Sequence, residues 1–184
     1  KRHFLMFLLI DVDPGPVGKM GGFHGNFGAL VRAYSYIRTL GDQGIAKISE
    51  DAVINANYIL SQLKEVYDLP YQRTCMHEVV LSAKSLKRDY GISALDICKR
   101  LIDYVIHPPT MYFPLIVEEA LMIEPTETES KETLDNFIEV MKKIASEAKE
   151  FPDLLHNAPH DTPNSRLDEA RAARQPFLRW KKTV

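Results

Sequence analysis

From Asp42 onward, apolar residues return at steps of three and four: Ile45, Ile48, Ala52, Ala56, Ile59, Leu60 and Leu63. That period puts them on one face of an α-helix, and the pattern stops ahead of Asp68-Leu69-Pro70. The stretch before it, ALVRAYSYIRTLG, predicts another helix, ended by Gly41. Later, Leu134, Phe137, Ile138, Met141, Ile144, Ala145 and Ala148 form a third long stripe. A shorter stripe holds Leu95, Cys98, Leu101, Ile102 and Val105; Ser93 can cap it, with Asp96 at the capping-box distance. Pro108 and Pro109 forbid its continuation, so it is expected to stop at His107.

Between these helices the period changes. MHEVVLSAK reads as a strand. TMYFPLIV and ALMIEPT read as two strands of a hairpin joined through Glu118-Glu119, with Pro114 marking an edge or a bulge. The order is helix, helix, strand, helix, strand, strand, helix, tail. It predicts an α+β fold: a small, mostly antiparallel sheet covered by helices on one face. Beyond Phe151 the chain turns polar, proline-rich and irregular, and residues 11–28 form a glycine-rich loop whose backbone can approach an anion. The apolar run Phe4–Ile10 is short for a secretory signal and lacks a small-residue cleavage site, so a buried strand explains it as well.

Composition narrows the function classes. The net charge of -2 over 184 residues argues against a dedicated nucleic-acid surface and against a polybasic membrane anchor. No segment approaches the ~20 apolar residues of a membrane span. Cys75 and Cys98 are too far apart for a CxxC pair and too few for a disulfide framework, and read as two buried thiols of a reducing compartment. No metal site is expected. Glu124, Glu127, Glu129 and Glu132 crowd the start of the third long helix, but no histidine stands nearby at ligand spacing. Glu127, Glu129 and Glu132 are read as charges at a positive helix end, capped by Thr128 or Ser130.

Three stretches do more than periodicity can. FHGNFGALVRAYSYIRTLG, HPPTMYFPLIVEEALMIEPTETESKETLD, and NAPHDTP with RLDEARAARQPFLRWK strongly resemble the C-terminal part of glycine dehydrogenase (decarboxylating). This is the P-protein of the glycine cleavage system, in its bacterial two-subunit form, subunit 2. The resemblance runs from about Phe23 to Lys182. It implies the C-terminal small domain of a fold-type I enzyme that depends on pyridoxal 5'-phosphate. It implies a division into 1–28, a remnant of the large domain with its glycine-rich loop; 29–67, linking helices; 68–150, a small α+β domain; and 151–184, an irregular C-terminal tail. The implied activity is decarboxylation of glycine, with transfer of the aminomethyl group to the lipoyl group of the H-protein, in the cytoplasm. The implied partners are glycine dehydrogenase subunit 1 and the lipoylated H-protein, with no nucleic acid and no membrane.

Family members hold the cofactor through the lysine of a His-Lys motif. This sequence has no His-Lys dipeptide, and the corresponding position is expected ahead of Lys1. The chain also begins without methionine, as a fragment would. No catalytic residue is assigned, and the chain alone is expected to be inactive. A catalytically silent assembly domain, or the small domain of another fold-type I enzyme, are the alternatives.

The resemblance points to two groups of residues. Gly25, Asn26 and Gly28 could offer N–H groups to the cofactor phosphate, or simply start a helix. His107 and Thr110 fall where related small domains face the substrate cleft, although a histidine at a helix C-terminus is also favourable there. His77, on the first strand, reads as structural. No arginine occurs between Leu101 and Ser165 to clamp a substrate carboxylate. The tail, with Trp180 as anchor, is expected to dock on a partner subunit. Surplus apolar surface predicts self-association or a hetero-oligomer through residues near Phe27, Tyr34, Ile59 and Trp180.

Overall fold

The computed structural model describes residues 25–180, which form two compact units dividing between Ala46 and Lys47. Helix α1, Phe27–Leu63, breaks at Gly41, whose φ of 67° and ψ of -174° only glycine adopts at little cost. The break falls where the sequence placed a helix end. In the first unit, the Asn26 carboxamide caps α1 by accepting from the Ala29 amide at 3.1 Å.

The second unit carries the core. Its elements follow the last part of α1 in the order β1, Val79–Ser82; α2, Lys84–Tyr90; α3, Ala94–Asp103; β2, Thr110–Met111; β3, Ala120–Ile123; α4, Lys131–Glu150; α5, Pro152–His156; and α6, Glu169–Arg174. The three strands form an antiparallel sheet in the order β1-β3-β2. Val79 pairs with Ile123 and Leu81 with Leu121, and all four are buried. They join Ile97 and Leu101 of α3 and Leu134, Ile138, Met141 and Ile144 of α4 in one core. Val80 and Met122, paired on the opposite face, are only partly buried. The chain is thus α+β, as its hydrophobic pattern predicts. Tyr67 threads this core and donates its hydroxyl to the Met141 carbonyl at 2.9 Å, and burial pushes its phenol pKa up.

Several expected boundaries move. Helix α3 has the predicted Ser93–Asp96 capping box, but it ends at Asp103, not at His107. Val105 takes φ 58°; its amide donates to Ile102 and the Ile106 amide donates to Leu101. That is a Schellman closure with valine where glycine is usual, so the stop signal is invisible in the sequence. Val105, expected on the buried stripe, is almost fully exposed. The strand expected over TMYFPLIV pairs only at Thr110 and Met111. Tyr112 and Glu119 adopt positive φ, so residues 112–119 leave the ladder and return as a loop that contains the cis Phe113-Pro114 bond. Helix α2 was hidden in the strand reading, being short and burying only Leu86. Helices α5 and α6 interrupt the tail expected to be irregular. Cys98 is buried, with a thiol pushed up to about 12 by that burial, but Cys75 is only partly buried. His77 lies ahead of β1 rather than on it, half-exposed, 3.8 Å from Glu124. Ile59 is 1% exposed, so it belongs to the core and not to an association surface.

Ion pairs lock α3 to α4 and to the tail. Arg100 binds both carboxylate oxygens of Glu147, at 2.9 and 3.1 Å, and Asp103 at 3.0 Å. At the helix start, Asp96 accepts from Ser93 and binds Arg166 at 2.7 Å. Arg166 also donates to the carbonyls of Ala158 and Leu155. At the helix end, Asp103 accepts from the His160 amide at 2.6 Å. Burial alone would raise all three carboxyls, but these donors outweigh it and hold Asp96, Asp103 and Glu147 below the usual carboxylate range. Their folded values lie below the unfolded ones, so the stabilisation is complete above the unfolded values and is lost as pH falls through the folded ones. Urea unfolding should therefore show stability falling between about pH 4 and pH 2, and the Asp96→Asn/Asp103→Asn variant should fall less steeply there. An equally steep loss in that variant would reject the assignment.

Candidate substrate cleft

The Schellman turn that ends α3 releases the chain into Val105–Thr110, and Pro108-Pro109 keep it extended. This segment forms one wall of a cleft of about 480 Å³. The other walls are Met122 to Pro125, at the end of β3, and the first turns of α4. Pro108, Pro125 and Phe137 supply apolar surface; His107, Thr110, Glu124, Glu129, Thr133 and Asn136 supply polar groups. No lysine or arginine lines it. The arrangement can surround a small polar molecule, exclude part of its water, and place an imidazole and a hydroxyl beside it.

His107 and Thr110, predicted as a pair, therefore share this cleft. Gly25, Asn26 and Gly28 lie in the other unit, at the start of α1. Gly25 has φ 111°, and the Asn26 carbonyl and carboxamide receive the Leu30 and Ala29 amides. These residues visibly start a helix. The glutamates divide by role. Ser130, not Thr128, caps α4, accepting from the Thr133 amide at 3.1 Å, while the Thr128 hydroxyl meets that of Thr126. Glu132 is in the first turn, Glu129 stands one residue before the cap and faces the cleft, and Glu124 faces His77. Among the described residues no group of histidine, cysteine and carboxylate side chains could hold a metal ion. No helix among them is long and apolar enough to cross a membrane.

Pyridoxal phosphate needs a lysine whose amine can shed its proton. Lys47, Lys87 and Lys131 are instead hydrogen-bonded to Asp51, Glu119 and Asp135, which raise their pKa values and keep the proton on. None of the three lines the cleft. No lysine lines the cleft, so the cleft residues do not by themselves supply the amine that this cofactor binds.

One buried residue that sequence reading missed lies outside the cleft and holds the fold together. Glu119 is 5% exposed, with φ 50°. Its carboxylate accepts from the Ala94 amide, at the start of α3, at 2.7 Å and pairs with Lys87. Its carbonyl accepts from the Ala83 amide at 3.0 Å. It thereby ties the returning 112–119 loop to both α2 and α3. A glutamate beside Glu118 in a predicted turn gives no hint of this, because the contacts are made across the fold.

Comparison with known proteins agrees over most of the chain. A family described as "Glycine dehydrogenase, C-terminal domain" matches residues 48–167. Proteins named "Probable glycine dehydrogenase (decarboxylating) subunit 2" are similar throughout. The one from Listeria monocytogenes serotype 4a is 56% identical over 171 residues, 93% of this chain and 35% of its own length. That of Caldanaerobacter subterraneus subsp. tengcongensis is 57% identical over 182 residues, 98% of this chain and 36% of its own. That of Desulforamulus reducens is 56% identical over 167 residues, 91% of this chain and 34% of its own. The chain spans about a third of the length of these relatives.

Three substitutions separate the roles of these residues. Glu119→Ala leaves a buried amide unpaired and should cost about 2 kcal/mol in urea unfolding. Ser130→Ala should cost about 1 kcal/mol through the lost cap, while Glu129→Gln, outside the helix, should cost less than about half of that. A reversed order of the last two would show that Glu129, not Ser130, secures the helix.

Proposed function

Because the chain belongs to the glycine dehydrogenase C-terminal domain family, we propose that it works as the C-terminal part of subunit 2 of a glycine-decarboxylating enzyme. The observation that carries this reading is the match itself, 56–57% identical over nearly the whole chain. In this role the chain is the small domain of a fold-type I enzyme. Pyridoxal phosphate, held outside these residues, supplies the electron sink for decarboxylation when bound. The proposed partners are subunit 1 and the lipoylated H-protein, which takes the aminomethyl group.

The chain's own contribution is made at the cleft. We assign His107 to hold or pass a proton at its imidazole, and Thr110 to orient substrate through its hydroxyl. The proline and phenylalanine walls limit water. Gly25, Asn26 and Gly28 remain candidates for phosphate contact through their own backbone amides.

A catalytically silent assembly domain is the second reading, and a cleft lining without lysine favours it for the isolated chain. Accordingly, the 184-residue polypeptide mixed with pyridoxal phosphate should give no stoichiometric borohydride-fixed lysine adduct and no release of carbon dioxide from glycine. Such an adduct together with turnover would refute this. In full-length subunit 2 assembled with subunit 1 and H-protein, His107→Ala should lower glycine–bicarbonate exchange by at least about tenfold at unchanged thermal midpoint. Unaltered exchange would show that His107 lines the cleft without acting in the reaction.

A further inference from the structure

The cleft and the tail have opposite chemical needs. An amino-acid substrate carries a carboxylate, and on the reading proposed above the cleft must receive one. Yet its lining holds Glu124 and Glu129 and no lysine or arginine. The cation it lacks is abundant elsewhere in the chain. From Leu167 to Trp180 every residue is exposed. This arm carries Arg171, Arg174 and Arg179 against Asp168 and Glu169, on a chain whose net charge is -2. Leu178 and Trp180 are 89% and 85% exposed, so the arm does not occupy the cleft of its own chain. Its root is fixed, because Arg166 is bound to Asp96 and to the Ala158 and Leu155 carbonyls. Past that anchor, α6 is short and buries nothing. An arm with a rigid root, exposed apolar side chains and a cationic face is built to be covered by something acidic and apolar.

We infer that the arm of one copy docks over the cleft of a second copy. The arginines of the arm meet Glu124 and Glu129 on the rim, and Leu178 and Trp180 lie against Pro108, Pro125 and Phe137. Exchange of two arms gives a closed, twofold pair. It also brings guanidinium groups to a cleft whose own walls have none, so that each copy completes the charge balance of its partner's site.

Trp180 is the chain's single tryptophan, which makes the docking directly visible. At micromolar concentration the 184-residue chain should sediment as a dimer, and its tryptophan emission should shift to the red on dilution as the dimer parts. The Arg171→Glu/Arg174→Glu/Arg179→Glu variant and the Glu124→Lys/Glu129→Lys variant should each weaken the dimer by at least about tenfold and keep red-shifted emission. Mixed in equal amounts, the two reversed variants should pair with one another, because the reversed arm of one matches the reversed rim of the other. Circular dichroism checks that both are folded, and all the substituted side chains face solvent or the cleft. A chain that stays monomeric, a dimer indifferent to both reversals, or an arm that binds added subunit 1 while the chain alone is monomeric would each overturn the proposal. These readouts need no turnover, so failure of glycine exchange would count against the decarboxylase reading alone.

Discussion

A carboxylate taken out of water must be met by donors, and three such groups hold helix α3 in place. Glu119 and Asp96 receive donors at its N-terminal end, and Asp103 receives them at its C-terminal end. The two N-terminal groups also complement the helix dipole. Asp103, at the unfavourable end, is compensated by Arg100 and by two amides of the tail. With α3 pinned at both ends, its last turn has one exit, through Val105, and that exit sets the wall on which His107 and Thr110 stand. That cleft wall therefore follows from how buried charge is satisfied at the two ends of α3.

The same pairs explain why the tail is structured without a core of its own. Beyond α5 only a few side chains, Ala158 among them, are buried. Order there comes from Arg166 and the His160 and Asp161 amides, which reach back to Asp96 and Asp103. Past Arg166 those tethers end, and the described residues of the arm, 167–180, are solvent-covered. The change from tethered to exposed chain within a few residues separates a part that builds the domain from a part available to a partner.

Legibility followed the range of the interactions. The stripe of α4, the last part of the α1 stripe and the Ser93–Asp96 box were readable because their partners lie three or four residues apart, whereas Ile45, expected on the α1 stripe, is exposed. The Gly41 break was readable because glycine tolerates a positive φ that other residues resist. The stop at Asp103 was not, because Val105 adopts that conformation only under constraint from Ile106, which packs partly buried against the core. Thr110 to Val117 looks like a strand by composition, yet only two residues find ladder partners. Pro114 and the positive φ of Tyr112 end the pairing, and a hydrophobic run cannot say which of its residues will be paired.

What the sequence determined by itself was the α+β class, the core faces of α4 and of the last part of α1, and the family, since these rest on local period and on long, specific stretches of residues. It also placed His107 and Thr110 near one another, three positions apart. Only the tertiary structure decided that Glu124, Glu129 and Asn136 join them, that Glu119 is buried, and that the tail binds both ends of α3. The reason is physical. Hydrophobic period is fixed by the geometry of a single helix or strand, whereas the partner of a buried charge is chosen by packing between elements far apart in the chain.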